Sequence, residues 1–246
     1  MHIELIGSTS AGKTTLAKKM AEVGKNNGMD ISLSDDFMLE QLHLDWIRND
    51  FVRRRVVEIV AFAIMLTCLG KYQEFLRFVL REGNSSPGSW FYKFNRVRNV
   101  LRKIGIFEFI SRRASPQQIV LVDNEGILQG VHNLFVHQNG QIDLCKISRY
   151  VELVHLPDVV LYLQQDEVVL AARTLARGHA RVSGSSPDKA LHFIKQAVAV
   201  FDEIISVPKV RERLLLVDSE STVQPETANI DFHRVIELVR SGSSVS

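Results

Sequence analysis

What this chain has little of narrows it first. Among 246 residues there are two cysteines, Cys68 and Cys145, each inside an apolar segment and outside any metal-type pair. A disulfide scaffold is excluded, and a reducing, cytoplasmic setting is expected. Neither sign of charge is in excess. Lys+Arg number 30 and Asp+Glu 28, a formal net charge of +2, so bulk charge does not make the chain a polyanion binder. The longest apolar run, "VVEIVAFAIMLTCLG" from Val56, is shorter than the ~20 residues of a membrane span and carries Glu58. The eight histidines are scattered without ligand spacing, so no metal site is built from them. No internal repeat is visible. No leader segment is expected, because an apolar strand begins almost at Met1. The rest, 46% apolar and 24% charged, is the composition of a globular chain long enough to bury a large core.

Against those absences one stretch stands out: "IELIGSTSAGKTTLAKKM", residues 3 to 20. Gly7, Gly12, Lys13 and Thr14 spell G-x-x-x-x-G-K-T, the phosphate-binding loop pattern. Ile3 to Ile6 reads as a buried strand, and Gly7 permits the sharp turn after it. Ser8, Thr9, Ser10, Ala11 and Gly12 then wrap with their N–H groups inward, an anion nest. The helix from Lys13 adds its positive dipole end, and Thr15 lies in its first turn. Lys13 supplies a charge for the outer phosphates, and the Thr14 hydroxyl suits Mg²⁺.

Along the chain, strands alternate with helices. A helix is expected over Lys13 to Asn27, with Gly28 as its cap. "ISLSDDF" reads as a second strand ending in Asp35 and Asp36. Residues 43 to 80 read as two helices broken near Gly70, and "REGNSSPGS" as a loop. "WFYKFNRVRNVLRKIGIFEFISRRAS" follows, with Phe94, Val97, Leu101 and Ile104 at helical spacing. "QIVLVDNEG" is a third strand ending in Asp123 and Glu125, "DVVLYL" from Asp158 a fourth, and "RLLLVDS" from Arg213 a fifth, each followed by a helix. "SGSSVS" is a frayed tail. Strands apolar on both faces predict a parallel sheet covered on both sides, with ligands beyond the carboxyl ends of its strands.

Three further features carry chemistry. Asp123, at the end of "IVLVD", either holds Mg²⁺ as a Walker B carboxylate or caps the next helix. Glu125 contacts metal, substrate or a backbone N–H. Asp35, supported by Asp36, is placed either to take a proton from an attacking hydroxyl or to cap a turn. In "LQQDEVVLAARTLARGHARVSGSSPDKALHF", Arg173, Arg177 and Arg181 recur every fourth residue before a Ser/Gly loop. That pattern is either a solvated basic helix or a closing lid, about residues 164–190, whose arginines meet the transferring phosphoryl group.

"GSTSAGKTTLA", "ISLSDDF", "LVDNEG" and "PDVVLYLQQDEVVLAARTLARG", in that order, resemble the P-loop kinases of nucleosides, nucleotides and other small hydroxyl compounds. The lid and "LLLVDS…PETANIDFHRVIELV" look most like thymidylate kinases, and "SLSDDF" more like uridine kinases. The resemblance spans roughly residues 1 to 37 and 119 to 240. It implies one α/β P-loop NTPase domain over 1–246, three-layered, with a five-stranded parallel sheet in order 2-3-1-4-5. It also implies ATP with Mg²⁺ and an arginine-bearing lid. Roles fall on Lys13, Thr14, Asp35, Asp123, Arg173 and Arg177, with Arg181 toward the nucleotide. Two departures concern the acceptor. Thymidylate kinases usually show Asp-Arg where this chain has Asp123-Asn124, and the Glu-Arg-Ser of deoxynucleoside kinases is absent.

Residues 43–118 form an insertion longer than is usual in that family. Between residues 71 and 118, Lys71, Arg77, Arg81, Lys93, Arg96, Arg98, Arg102, Lys103, Arg112 and Arg113 face only Glu74, Glu82 and Glu108, a net charge of +7. Trp90, Phe91, Tyr92 and Phe94 lie beside them. The stretch is either a helix pair packed on the core or a surface for a polyanion or partner. The leading expectation is therefore an ATP-dependent kinase of a small molecule. Its rivals are a kinase of RNA or protein docked on the insertion, and a nucleotide switch or ATPase. No Asn-Lys-x-Asp motif for guanine appears, so ATP is the expected donor.

Overall fold

The computed structural model describes residues 1–85, 89–136, 142–178 and 186–218. The element order is β1 (His2–Ile6), α1 (Lys13–Asn26), β2 (Ile31–Leu33), α2 (Ser34–Gln41), α3 (Asp50–Thr67), α4 (Gln73–Ser85), α5 (Trp90–Arg113) and β3 (Ile119–Val122). Then come α6 (Gln129–Phe135), α7 (Leu144–Leu153), β4 (Val159–Gln164), α8 (Glu167–Ala176), α9 (Pro187–Ser206), α10 (Pro208–Arg211) and β5 (Leu214–Asp218).

The strands form one five-stranded sheet in order β2-β3-β1-β4-β5, with every pair parallel. In register, Ile3 lies beside Leu121 and Val159. Alternate residues of β3 serve opposite faces, as pleating requires. Val120 and Val122 pack with Phe37, Val57, Ala61, Ile106 and Phe109 of α2, α3 and α5. Ile119 and Leu121 join the larger cluster, with Leu16 and Met20 of α1 and Phe193 and Phe201 of α9. Helices therefore cover both faces. With a phosphate loop between β1 and α1 and strand order 2-3-1-4-5, this is the three-layer P-loop NTPase fold.

Local chemistry sets the helix ends. The Asn49 side chain caps α3 by accepting from Phe51 N and Val52 N, and Asp166 caps α8 by accepting from Val168 N and Val169 N. Gly28, at φ +70°, closes α1 as expected. The break near Gly70 is also present, since α3 ends at Thr67 and α4 begins at Gln73.

Three expectations about boundaries change. The segment "REGNSSPGS", read as a loop, is helical through Ser85, where α4 ends. The second strand stops at Leu33, so Asp35 and Asp36 occupy the first turn of α2 and not a strand end. Their carboxylates suit the positive end of that helix. Residues 43–49 are not helical, because Asn49 starts a fresh helix. The helix expected after β5, the frayed tail and the lid tip lie outside the described residues.

In the insertion, α3 and α5 meet closely at Gly105. A Cβ there would lie 1.8 Å from the Ala61 carbonyl oxygen. Much of the insertion's positive charge is paired. Lys71 and Arg112 meet Glu108, Arg81 meets Glu82, Arg98 meets Glu58, and Arg102 and Lys103 meet Glu125. Six of the ten basic residues thus have ion-pair partners among the described residues. Among the described residues, no helix is long and apolar enough to cross a membrane.

Candidate active site

The loop after β1 has the conformation its glycines and small residues permit. Gly7 (φ +144°), Ser10 (φ +66°) and Gly12 (φ +95°) all take positive φ, which curls the backbone toward one point. A Cβ on Gly7 would lie 2.9 Å from the Leu163 carbonyl oxygen of β4, so the loop sits hard against the sheet. The Ser10 hydroxyl accepts from Thr174 of α8 at 3.2 Å, joining the loop to the helix that bears the expected lid arginines.

Lys13 folds back over the loop, and its Nζ donates to the carbonyls of Gly7 at 2.8 Å and Ser8 at 2.9 Å. Burial lowers its pKa to about 8, against the raising influence of Asp123 and with further lowering by Lys103 and Arg177. A phosphate there would raise it again. Beside it, Thr14 Oγ1 donates to Asp123 Oδ2 at 2.6 Å. Asn124 Nδ2 donates to both, at 2.9 Å to Thr14 Oγ1 and 2.8 Å to Asp123 Oδ2. The hydroxyl and carboxylate predicted from sequence thus converge. They are a hard-oxygen pair that fits Mg²⁺, which is commonly bound by one or two carboxylates plus water and phosphate.

The cavity above the loop has a volume of about 430 Å³. It is lined by Thr9 to Thr15, and also by Asn124, Gln129, His132, Asn133 and Arg177. The residues from α6 are additions that the sequence does not announce. Gln129, His132 and Asn133 fall at i, i+3 and i+4 after "VDNEG", so their shared face is readable, but nothing in the sequence aims that face at the loop. Of the lid arginines, Arg177 lines the cavity. Arg173 is exposed and contacts Gln165 at 3.4 Å. Gly178 (φ +62°) ends the helix there, and Arg181 lies outside the described residues.

Asp35 lies in the first turn of α2, just beyond the carboxyl end of β2, half-buried, with no hydrogen-bond partner on Oδ1. Its pKa is raised, first by burial and then by Glu125, with smaller raising by Asp123 and Asp36 and lowering by Arg102. Arg102 is paired to Glu125 at 2.9 Å, and Asp36 is bridged to Arg53. Asp36 is thus engaged, and Asp35 keeps the uncommitted carboxylate oxygen. A second recess of about 390 Å³ lies between α3 and α5, lined by Ile59, Phe62, Phe94, Val97 and Leu101 with Arg55, Glu58 and Arg98. Arg98, which lines the recess, and Arg102, which acts on Asp35, are one helical turn apart on α5.

No protein-family model matches this chain, and no curated protein matches it. Solved structures do. One is a deoxyadenosine kinase from M. mycoides with the products dCMP and a flexible dCDP bound, at 14% identity and a TM-score of 0.49, covering 98% of this chain and 100% of that one. Another is a deoxyadenosine kinase from M. mycoides with bound dATP, at 13% identity and a TM-score of 0.46, covering 96% and 100%. Both are nucleoside kinases and neither is a thymidylate kinase. The likeness is one of chain path; what the site can do follows from its own residues.

Proposed function

We propose that this chain is an ATP-dependent kinase that moves the γ-phosphate to a hydroxyl of a small, uncharged acceptor of the nucleoside class. The observation that carries the reading is the pairing of charges around Asp35. Its strongest electrostatic neighbours are three carboxylates and one guanidinium, and that guanidinium is already held by Glu125. An acceptor bringing its own phosphate would find no unpaired cation among these groups. An uncharged hydroxyl compound needs none.

In this reading the loop N–H groups, Lys13 and Arg177 hold the donor phosphates, and Arg177 arrives fully as residues 164–190 close as a lid. Thr14 and Asp123 hold Mg²⁺, which neutralises charge on the β- and γ-phosphates when bound. Asp35 orients the acceptor hydroxyl and takes its proton as the oxygen attacks. The remainder of the acceptor lies along the α3–α5 recess, so residues 43–118 serve chiefly as the acceptor wall. A cytoplasmic setting suits the two free thiols.

The test follows labelled γ-phosphate from ATP with Mg²⁺ into a panel of nucleosides and their monophosphates. Transfer to a nucleoside, abolished in Lys13→Ala, supports the reading. Transfer only to monophosphates removes the charge argument, and label found only as free phosphate points to the switch or ATPase. Asp35→Asn should lower transfer by ~10²- to 10⁴-fold while ATP affinity stays within a few-fold. Turnover within a few-fold of wild type would end the base assignment.

A further inference from the structure

A carboxylate in the middle strand of a buried sheet needs a reason, because burial penalises its charge. Glu4 is such a group. It lies in β1 between β3 and β4 and is 0% exposed. Its Oε1 accepts from Gln129 N at 2.8 Å, the N–H groups of Ile127 and Leu128 also favour its charged form, and its Oε2 has no hydrogen-bond partner. A Cβ on Gly126 would lie 2.1 Å from the Glu4 carboxyl, so the turn after β3 rests flat on it.

Two other buried side chains hold the same turn. Lys103 of α5, 2% exposed, donates from Nζ to the Asn124 carbonyl and lies 3.7 Å from Glu125. Tyr150 of α7 donates from its hydroxyl to the Ile127 carbonyl at 2.8 Å. Residues 124–129 are thereby fixed from below at Asn124 O, Ile127 O and Gln129 N. The upper side of that turn presents Asn124 to Thr14, Glu125 to Arg102, and Gln129 to the phosphate cavity.

We infer that Glu4 and Lys103 are positioning residues, two buried ionisable groups that each hold the backbone of turn 124–129 and so align the donor-phosphate wall with the acceptor crevice. The inference rests on the kinase reading for its consequence in catalysis, but not for the clamp itself. Neither side chain touches substrate. Both act through the backbone they hold.

The charged and titratable groups facing Glu4 are Lys103 from α5 and the Tyr150 hydroxyl from α7, beside the N–H groups of 127–129. Burial raises Tyr150 well above its ordinary value, so it stays neutral. Burial raises Glu4 to about 7 and lowers Lys103. Opening the turn would hydrate Glu4 and return it toward its ordinary value, so the ionised form favours opening and the clamp should loosen as pH rises through 7. The sign for global stability is the same. A raised carboxylate pKa makes the ionised form costly in the fold, so this group's contribution falls as pH rises from 4.5 toward 7.

Hydrogen exchange of the full chain, corrected for intrinsic rate, tests this at the 127–129 amides. In wild type, protection should fall about tenfold between pH 6 and 8. In Glu4→Gln it should be flat, while thermal stability at pH 8 is unchanged or higher. With the acceptor that the labelled-phosphate assay identifies, kcat should fall while the KM for ATP stays within a few-fold. Lys103→Met, read at the same amides, serves if Glu4→Gln does not fold. Protection independent of pH in wild type, or unchanged in both variants, overturns the clamp. So does a Glu4→Gln enzyme with wild-type kcat and pH profile. Wild type that shows the exchange behaviour but transfers no phosphate overturns the kinase reading and leaves the clamp standing.

Discussion

Replacing Gly105 by alanine sets two known effects against each other. In an exposed helix interior, alanine in place of glycine stabilises by about 1 kcal/mol. Here the new Cβ would fall 1.8 Å from Ala61 O, 2.5 Å from Ala61 C and 2.8 Å from Ala61 Cα. All three are backbone atoms of α3, so no rotamer can relieve the overlap. A carbon needs about 3.3 Å from a carbonyl oxygen even in a close C–H···O contact. The helices must therefore part by about 1.5 Å along that line. Overpacking of this kind costs about 1–3 kcal/mol or more, and displacement of two helices belongs at the upper end. We expect a net loss of about 2 kcal/mol, read as a lower urea midpoint at unchanged m-value. Gly83→Ala is the comparison. Its Cβ would meet only the Val97 Cγ2 methyl, at 2.5 Å, which can turn aside, so its loss should be smaller. Gly105 lies within one turn of Arg102 and Lys103, so the variant should also lose phosphoryl transfer more than ATP affinity. A Gly105→Ala protein as stable as wild type, or more so, would refute direct backbone contact between α3 and α5.

Other expectations are briefer. Arg177 lines the phosphate cavity and Arg173 does not. Arg177→Ala should lower kcat on the order of 10³-fold, Arg173→Ala less than about tenfold, and equal losses would count against the geometry. His2 is buried and its pKa is lowered to about 4 from 6.5, mainly by burial and against the influence of Asp158. Its neutral form is the one the fold accepts, so stability should fall as pH drops through 6.5 toward 4, on the order of 3 kcal/mol. His2→Phe should flatten that stretch of an acid-unfolding curve. Asp123→Asn should raise the Mg²⁺ needed for half-maximal turnover, with little change in metal-free nucleotide binding measured by calorimetry.

Part of this protein is legible in its amino-acid sequence alone. The glycines at 7 and 12, followed by Lys13 and Thr14, act locally: each sets its own φ, donor or charge, and the loop follows from the chain's short-range geometry. Asp123 is legible because a carboxylate closing an apolar strand has few other places to point. The alternation of apolar strands with helices implies the layers. The strand order comes from resemblance alone, since periodicity does not say which strands pair.

Tertiary structure decides the rest, because it depends on which distant groups meet. Whether Asp35 or Asp36 keeps a free carboxylate turns on Arg53 and its bridge to Asp36, seventeen residues along. The insertion's excess of positive charge looks like a surface in one dimension. In three it largely faces Glu58, Glu82, Glu108 and Glu125. Glu4 reads as one polar residue in a strand, and only the fold places it under the turn after β3. Short-range sterics and patterning write the elements into the sequence, while pairing of buried charges needs the packed chain.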